Sequence, residues 1–110
     1  MLRRMTLALV LTLGMTLPAA AQDLVAKGRK LFTDQKCTLC HSVNGRGNVK
    51  GAMDGAGSML TAEEVRAWLT DAKAMTAKTK ATRKPEMKQF ALEKDDVDAL
   101  VAYVLSLKRK

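Results

Sequence analysis

The chain has 110 residues, which is enough for one domain and excludes a multidomain architecture. It carries 19 basic residues against 11 acidic ones, a formal net charge of +8, and only 4% of its residues are aromatic. The basic balance predicts acidic partners, because opposite charge speeds their encounter. Nucleic acid is not expected as a partner, since no basic helix or aromatic platform is arranged for it.

The first 21 residues have the pattern of a secretory signal peptide. Arg3 and Arg4 precede an apolar run of about 13 residues, and the small residues Ala19–Ala21 follow. That run is shorter than the roughly 20 residues needed to cross a bilayer, although an uncleaved anchor is the alternative. We therefore predict a cleaved signal peptide over 1–21 and a periplasmic domain over 22–110. Without the two arginines, the net charge of the domain is +6.

The predicted domain begins with a helix over Asp23–Lys36. Apolar residues recur on one side of it at helical spacing, while Lys27, Arg29 and Lys30 take the other. Gly28 lies on the apolar side, where glycine costs about 1 kcal/mol relative to alanine. We expect the close approach of another helix to offset this cost.

The middle of the chain is predicted to be mostly loop. Ser42–Leu60 contains five of the seven glycines, which permit unusual backbone angles and close approach to a flat ligand. Thr61–Thr70 reads as a short helix, because Thr61 and Glu64 have the spacing of a capping box. Asp71–Phe90 has no clean periodicity, and helical pieces within it must end before the proline near its end.

The strongest helical pattern covers Glu93–Lys108. Five apolar residues form a continuous stripe along it: Val97, Leu100, Val101, Val104 and Leu105. Three aspartates suit the positive N-terminus of this helix. Because no run alternates with the period of a strand, the domain is predicted to be all-α.

The sequence Cys37-Thr38-Leu39-Cys40-His41 is a C-x-x-C-H motif, the attachment pattern of c-type haem. Two cysteines three positions apart can form thioethers with the two vinyl groups of one porphyrin. His41 then lies beneath the iron and can bind it, and the chain has no other histidine. We therefore predict one covalent haem c, which would also supply apolar volume that the few aromatic residues do not.

Three other uses of these cysteines are open from the motif. A redox dithiol usually lies in a βαβ setting, and the sequence shows none. Zinc needs more soft ligands than two cysteines and one histidine, although a carboxylate could complete the set. A structural disulfide would suit an oxidising compartment but leaves the histidine without a role.

With this motif in place, the chain resembles class I c-type cytochromes of the small bacterial monohaem type over nearly all of 22–110. The resemblance implies the cytochrome c-like fold, in which the first and last helices cross around the haem. In this sequence the crossing maps onto Gly28 and Phe32 against Leu100 and Tyr103. That mapping would explain why the costly Gly28 stands within the first helix.

The resemblance also implies a methionine as the second axial ligand of the iron, and we expect Met87. It lies three residues before Phe90 and shortly before the last helix, as in the Met-Pro-x-Phe stretch of the family. Here, however, the proline comes earlier, at Pro85, and Lys88 takes its usual place. Met75 is the alternative ligand. Two further methionines, Met53 and Met59, are expected to line the haem pocket.

Two supporting roles follow from the same resemblance. The family often has a proline whose carbonyl accepts a hydrogen bond from the haem histidine, and Ala52 stands at that position here. Trp68 is expected to pack near the haem, either donating its indole N–H to a propionate or filling the core.

The expected function is that of an electron carrier, not an enzyme. Ligation by both His41 and Met87 leaves no open iron site, and we expect no small-molecule substrate. The basic stretch Lys73–Lys88 is expected to dock an acidic reductase, oxidase or membrane complex, and the protein is expected to be a monomer. The alternatives are a haem sensor or ligand-binding module with an open iron site, or a dedicated cytochrome subunit of a larger redox enzyme.

Overall fold

The computed structural model describes residues 13–14 and 18–109, and the described part of the chain is mostly helical. Its elements are α1 (Ala19–Asp34), β1 (Ser42–Val43), β2 (Arg46–Gly47), α2 (Ala56–Met59), α3 (Ala62–Thr70), α4 (Ala72–Thr79) and α5 (Lys94–Ser106). Short 3₁₀ turns cover Cys37–Leu39 and Val49–Gly51. The all-α prediction is confirmed.

The predicted signal peptide lies mostly outside the described residues. Its last residues, Ala19–Ala21, form the first turn of α1, which therefore begins four residues before the predicted Asp23. Among the described residues, no helix is both long enough and apolar enough to span a bilayer.

Helices α1 and α5 cross at Gly28. A Cβ atom added there would collide with the carbonyl oxygen of Ala99 and lie 2.6 Å from the Cβ of Tyr103. Next to the crossing, the rings of Phe32 and Tyr103 pack edge to face with centroids 5.6 Å apart. The predicted crossing is confirmed at Gly28, Phe32 and Tyr103. The α5 backbone against Gly28 belongs to Ala99, not Leu100, because positions 99 and 103 are one turn apart on the same face.

The substitution Gly28→Ala is expected to destabilise the protein by about 1–3 kcal/mol, because the added methyl meets backbone atoms that cannot rotate away. Urea unfolding of the haem-loaded protein measures this change. Gly55→Ala is the matched control, since its methyl would meet only the flexible side chain of Arg109. Equal stability of the two variants would contradict a tight crossing at Gly28.

Helix α3 begins as predicted. The Thr61 hydroxyl accepts the Glu64 backbone N–H at 3.2 Å, and the Thr61 N–H donates to the Glu64 carboxylate at 3.1 Å. The stretch after it is partly helical: α4 buries Ala72 and Met75 and ends at Lys80 in the left-handed conformation. This piece lacked a clear pattern because only these two residues of the helix are buried.

The predicted loop over residues 42–60 contains short regular elements. Strands β1 and β2 form an antiparallel hairpin whose turn residues, Asn44 and Gly45, have φ angles of 52° and 76°. Asn-Gly is the pair that two-residue hairpin turns favour. Strands of two residues are too short to show the alternation by which strands are recognised.

Candidate functional site

An apolar crevice of about 800 Å³ of empty space opens between the helices beside the cysteine motif. Helices α1, α3 and α5, the motif itself and the chain segment before α5 all contribute to its walls. The lining residues are Phe32, Cys37, His41, Met53, Leu60, Val65, Trp68, Leu69, Met87, Leu100 and Val104. Such a lining suits a large apolar ligand that is held by a few specific groups.

The cysteine motif forms a tight turn directly after α1. Lys36 adopts the left-handed conformation with φ of 58°, and the 3₁₀ turn over 37–39 follows. The backbone N–H of His41 donates to the carbonyl of Cys37 at 2.9 Å, so the chain closes one full turn between them. This turn places Cys37 and His41 on the wall of the same crevice.

The two cysteine side chains, both half-buried, are not joined in a disulfide. Burial raises the pKa of the Cys37 thiol, and the positive charge of Lys88 opposes that shift. Within the described residues, no cluster of three or more His, Cys, Asp and Glu side chains could hold a metal ion. The structure therefore gives no support to the disulfide and zinc readings of the motif.

The imidazole of His41 is oriented by the backbone of Gly51. Its Nδ1 lies 2.9 Å from the Gly51 carbonyl oxygen, which can only accept a hydrogen bond. Nδ1 therefore carries the proton, and Nε2 keeps a lone pair that can bind iron. The predicted acceptor, Ala52, was wrong by one residue, because the 3₁₀ turn over 49–51 presents the Gly51 carbonyl to the ring.

Burial is also the main reason that the pKa of His41 is lowered. The positive charge of Arg83 adds to this effect, whereas the hydrogen bond to Gly51 opposes it. The ring is consequently neutral at pH 7, the form in which imidazole binds a metal.

Gly51 leaves no room for a side chain. A Cβ atom there would collide with the Cys40 carbonyl oxygen and with the guanidinium of Arg83. Arg83 thus packs against the residue that orients His41. The sequence did not predict this contact; it indicated only that the 73–88 stretch, which contains Arg83, is basic.

The four methionines of the domain occupy different places. Met87 and Met53 both line the crevice. Met75 is buried on α4, with 8% of its surface exposed, but it does not line the crevice. Met59, the last residue of the short helix α2, is 67% exposed and is not part of the crevice lining, so the prediction that it lines the pocket was wrong.

The two crevice methionines are held by different parts of the fold. The Met53 N–H donates to the carbonyl of Ser42 at 2.8 Å, which fixes Met53 beside the residue that follows His41. Three residues after Met87, the Phe90 N–H donates to the carbonyl of Leu69 on α3 at 3.4 Å. This bond ties the segment that follows Met87 to α3, the helix that also carries Trp68.

All six basic residues of the 73–88 stretch are exposed: Lys73, Lys78, Lys80, Arg83, Lys84 and Lys88. Lys84 is neutralised by Glu86, whose carboxylate lies 2.8 Å from its ammonium. Two of the others lie close enough to the motif to affect its titration, Arg83 acting on His41 and Lys88 on Cys37. Positive charge thus lies beside the crevice.

Comparison with known proteins gives one family match. The family model described as Cytochrome c matches residues 25–108, which is most of the chain and includes every crevice residue named above. No curated protein and no solved structure gives a significant match to this chain.

Proposed function

Because the chain belongs to the cytochrome c family and so carries covalently bound haem c, we propose that it is a periplasmic shuttle for single electrons. The haem supplies an iron that changes charge by one electron. His41 and Met87 are its proposed axial ligands. The observation that carries the proposal is that the fold brings Cys37, His41 and Met87 to the wall of one apolar crevice.

The residues of the crevice fit a haem. Cys37 and Cys40 would hold it through two thioethers, and the Nε2 lone pair of His41 is free to bind the iron. The remaining lining is almost entirely hydrocarbon, which matches the faces of a porphyrin. A dry surrounding of this kind also affects the reduction potential.

Met87 is favoured over Met53 as the second ligand by the way each is anchored. Met53 is tied to Ser42, on the side of the crevice that carries His41. The segment that carries Met87 is instead tied through Phe90 to α3, so we expect Met87 to reach the iron from a different side than His41. Met75 and Met59 lie outside the crevice lining and are poorly placed to bind.

Two bound protein ligands leave an iron no open position for a substrate, which favours electron transfer over catalysis. A test that separates the shuttle from a sensor is carbon monoxide binding to the ferrous protein. We expect slow or negligible binding because Met87 must first dissociate. Rapid, stoichiometric binding would favour an open-site sensor instead.

Mass spectrometry of periplasmic protein should give a chain that begins at Gln22 and carries one haem.

Arg83 and Lys88 support docking of an acidic redox partner at the mouth of the crevice. Both act on residues of the haem motif, and neither pairs with a carboxylate within the described residues. A partner carboxylate that approached them would therefore come close to the haem-binding residues. Complementary charges of this kind speed association and set orientation.

The double substitution Arg83→Gln/Lys88→Gln is expected to slow electron exchange with native membranes several-fold at low salt, because two steering charges are lost. The rate for the unaltered protein should also fall as salt rises, since the Debye length shrinks to about 8 Å at physiological ionic strength. Lys30→Gln is the control, as Lys30 lies on α1 in an exposed pair with Asp34. Salt-independent rates, or equal loss in the control, would contradict docking at this face.

A further inference from the structure

A second cleft lies on the other side of Phe32, which lines both it and the haem crevice. Unlike the crevice, this cleft is polar and basic. Its lining residues are Arg29, Phe32, Thr33, Thr38, Val43, Asn44, Arg46 and Tyr103. We propose that this cleft binds a phosphate group, a role separate from electron transfer and independent of which methionine ligates the iron.

The first support is the pair of guanidiniums that share the cleft. Arg29 comes from α1 and Arg46 from β2, and neither forms an ion pair among the described residues. By contrast, Arg66 on α3 is paired with Asp98 at 2.8 Å. Two unpaired cations in one cleft repel each other, and a bound anion would relieve that repulsion. Guanidinium groups also match the oxygen geometry of phosphate with parallel hydrogen bonds.

The second support is the hydroxyl of Tyr103. The residue is only 6% exposed, yet it lines the cleft. Burial raises the pKa of this hydroxyl; the positive charge of Arg29 opposes the shift and the negative charge of Asp54 adds to it. Because Tyr103 lines the cleft, its hydroxyl can donate a hydrogen bond to a ligand oxygen bound there. The threonines on the lining add further hydroxyl donors.

Asp54 opposes the binding of anions in this cleft. Its carboxylate is close enough to Tyr103 to affect the phenol, and it already accepts the backbone N–H of Asn44 at 2.6 Å. This negative charge opposes every anion, so any preference for phosphate must come from the two guanidiniums and the hydroxyl donors. Phosphate carries about −1.5 to −2 charges at pH 7 and offers several acceptor oxygens, so it gains more from two guanidiniums. We expect binding in the millimolar range.

The test is a titration of the haem-loaded ferrous protein with inorganic phosphate, followed by amide NMR at ionic strength held constant with sodium chloride. We expect saturable shifts at Thr33, Thr38 and Arg46. Arg29→Gln and Arg46→Gln should each weaken phosphate binding about fivefold. Tyr103→Phe keeps the ring against Phe32 and should weaken it about threefold. Lys78→Gln, which removes one charge from α4 outside the cleft, should leave the affinity unchanged.

Several outcomes are decisive. Shifts that do not saturate, or affinities that fall equally in Lys78→Gln and Arg29→Gln, would overturn the site in favour of diffuse charge. Circular dichroism of each variant confirms that the fold is retained. Glycerol phosphate and vesicles with or without phosphatidylglycerol then distinguish a soluble phosphate ester from a lipid headgroup. Binding of either supports the phosphate class, and binding of neither counts against it.

Discussion

The variant Cys37→Ala/Cys40→Ala, produced without haem, is expected to be largely unfolded. The crevice walls come from α1, α3, α5 and the segment before α5, so without its ligand their apolar faces meet water together. A domain of this size buries only a modest core, and few of its residues are aromatic. Binding free energy of the cofactor is therefore folding free energy here.

Far-ultraviolet circular dichroism measures this effect, and we expect most of the helical signal of the haem-loaded protein to be lost. The unaltered chain made without haem is the matched control, because it separates the loss of cofactor from the loss of two thiols. It should be unfolded to the same extent. A helical form of either protein that melts cooperatively would show that the crossing of α1 and α5 is stable without the cofactor.

The substitution Met87→Ala is expected to lower the reduction potential by a few tenths of a volt. A thioether is a soft, neutral ligand that favours ferrous iron, and axial ligands move haem potentials over about 0.8 V. Redox titration of the purified protein measures the change. The free energy of unfolding of the ferrous protein should also fall, because Met87→Ala removes a ligand of the ferrous iron.

Two other methionines are controls for this prediction. Met75→Ala should lower the unfolding free energy by about 2–5 kcal/mol, because Met75 is buried on α4, but should barely move the potential. Met53→Ala removes a side chain from the crevice lining without removing the proposed ligand, so a shift of tens of millivolts is expected. A large fall in the potential with Met53→Ala and none with Met87→Ala would reverse the assignment.

The features that sequence predicted well have strong local causes. The capping box of Thr61 and Glu64 is set by residues three positions apart, and it starts α3 as expected. The long apolar stripe of α5 identifies that helix for the same reason. Gly28 was informative because its cost within a helix needs a reason, and the backbone of Ala99 supplies one.

The features that sequence missed depend on backbone direction or on distant contacts. Whether Gly51 or Ala52 faces His41 is decided by a 3₁₀ turn, which shifts the carbonyl by one residue. The packing of Arg83 on Gly51 joins residues far apart in the chain. Met59 was misplaced because residues 56–59 form a short helix that leaves it exposed. None of these has a periodic signature.

The most direct test of the account is the far-red absorption band that ferric haem shows when a methionine sulfur binds the iron. The unaltered protein should show this band, and so should Met75→Ala and Met53→Ala. Met87→Ala alone should lose it, as expected of a carrier whose iron is closed by His41 and Met87. Absence of the band from the unaltered protein, or its persistence in Met87→Ala, would contradict the proposed ligation.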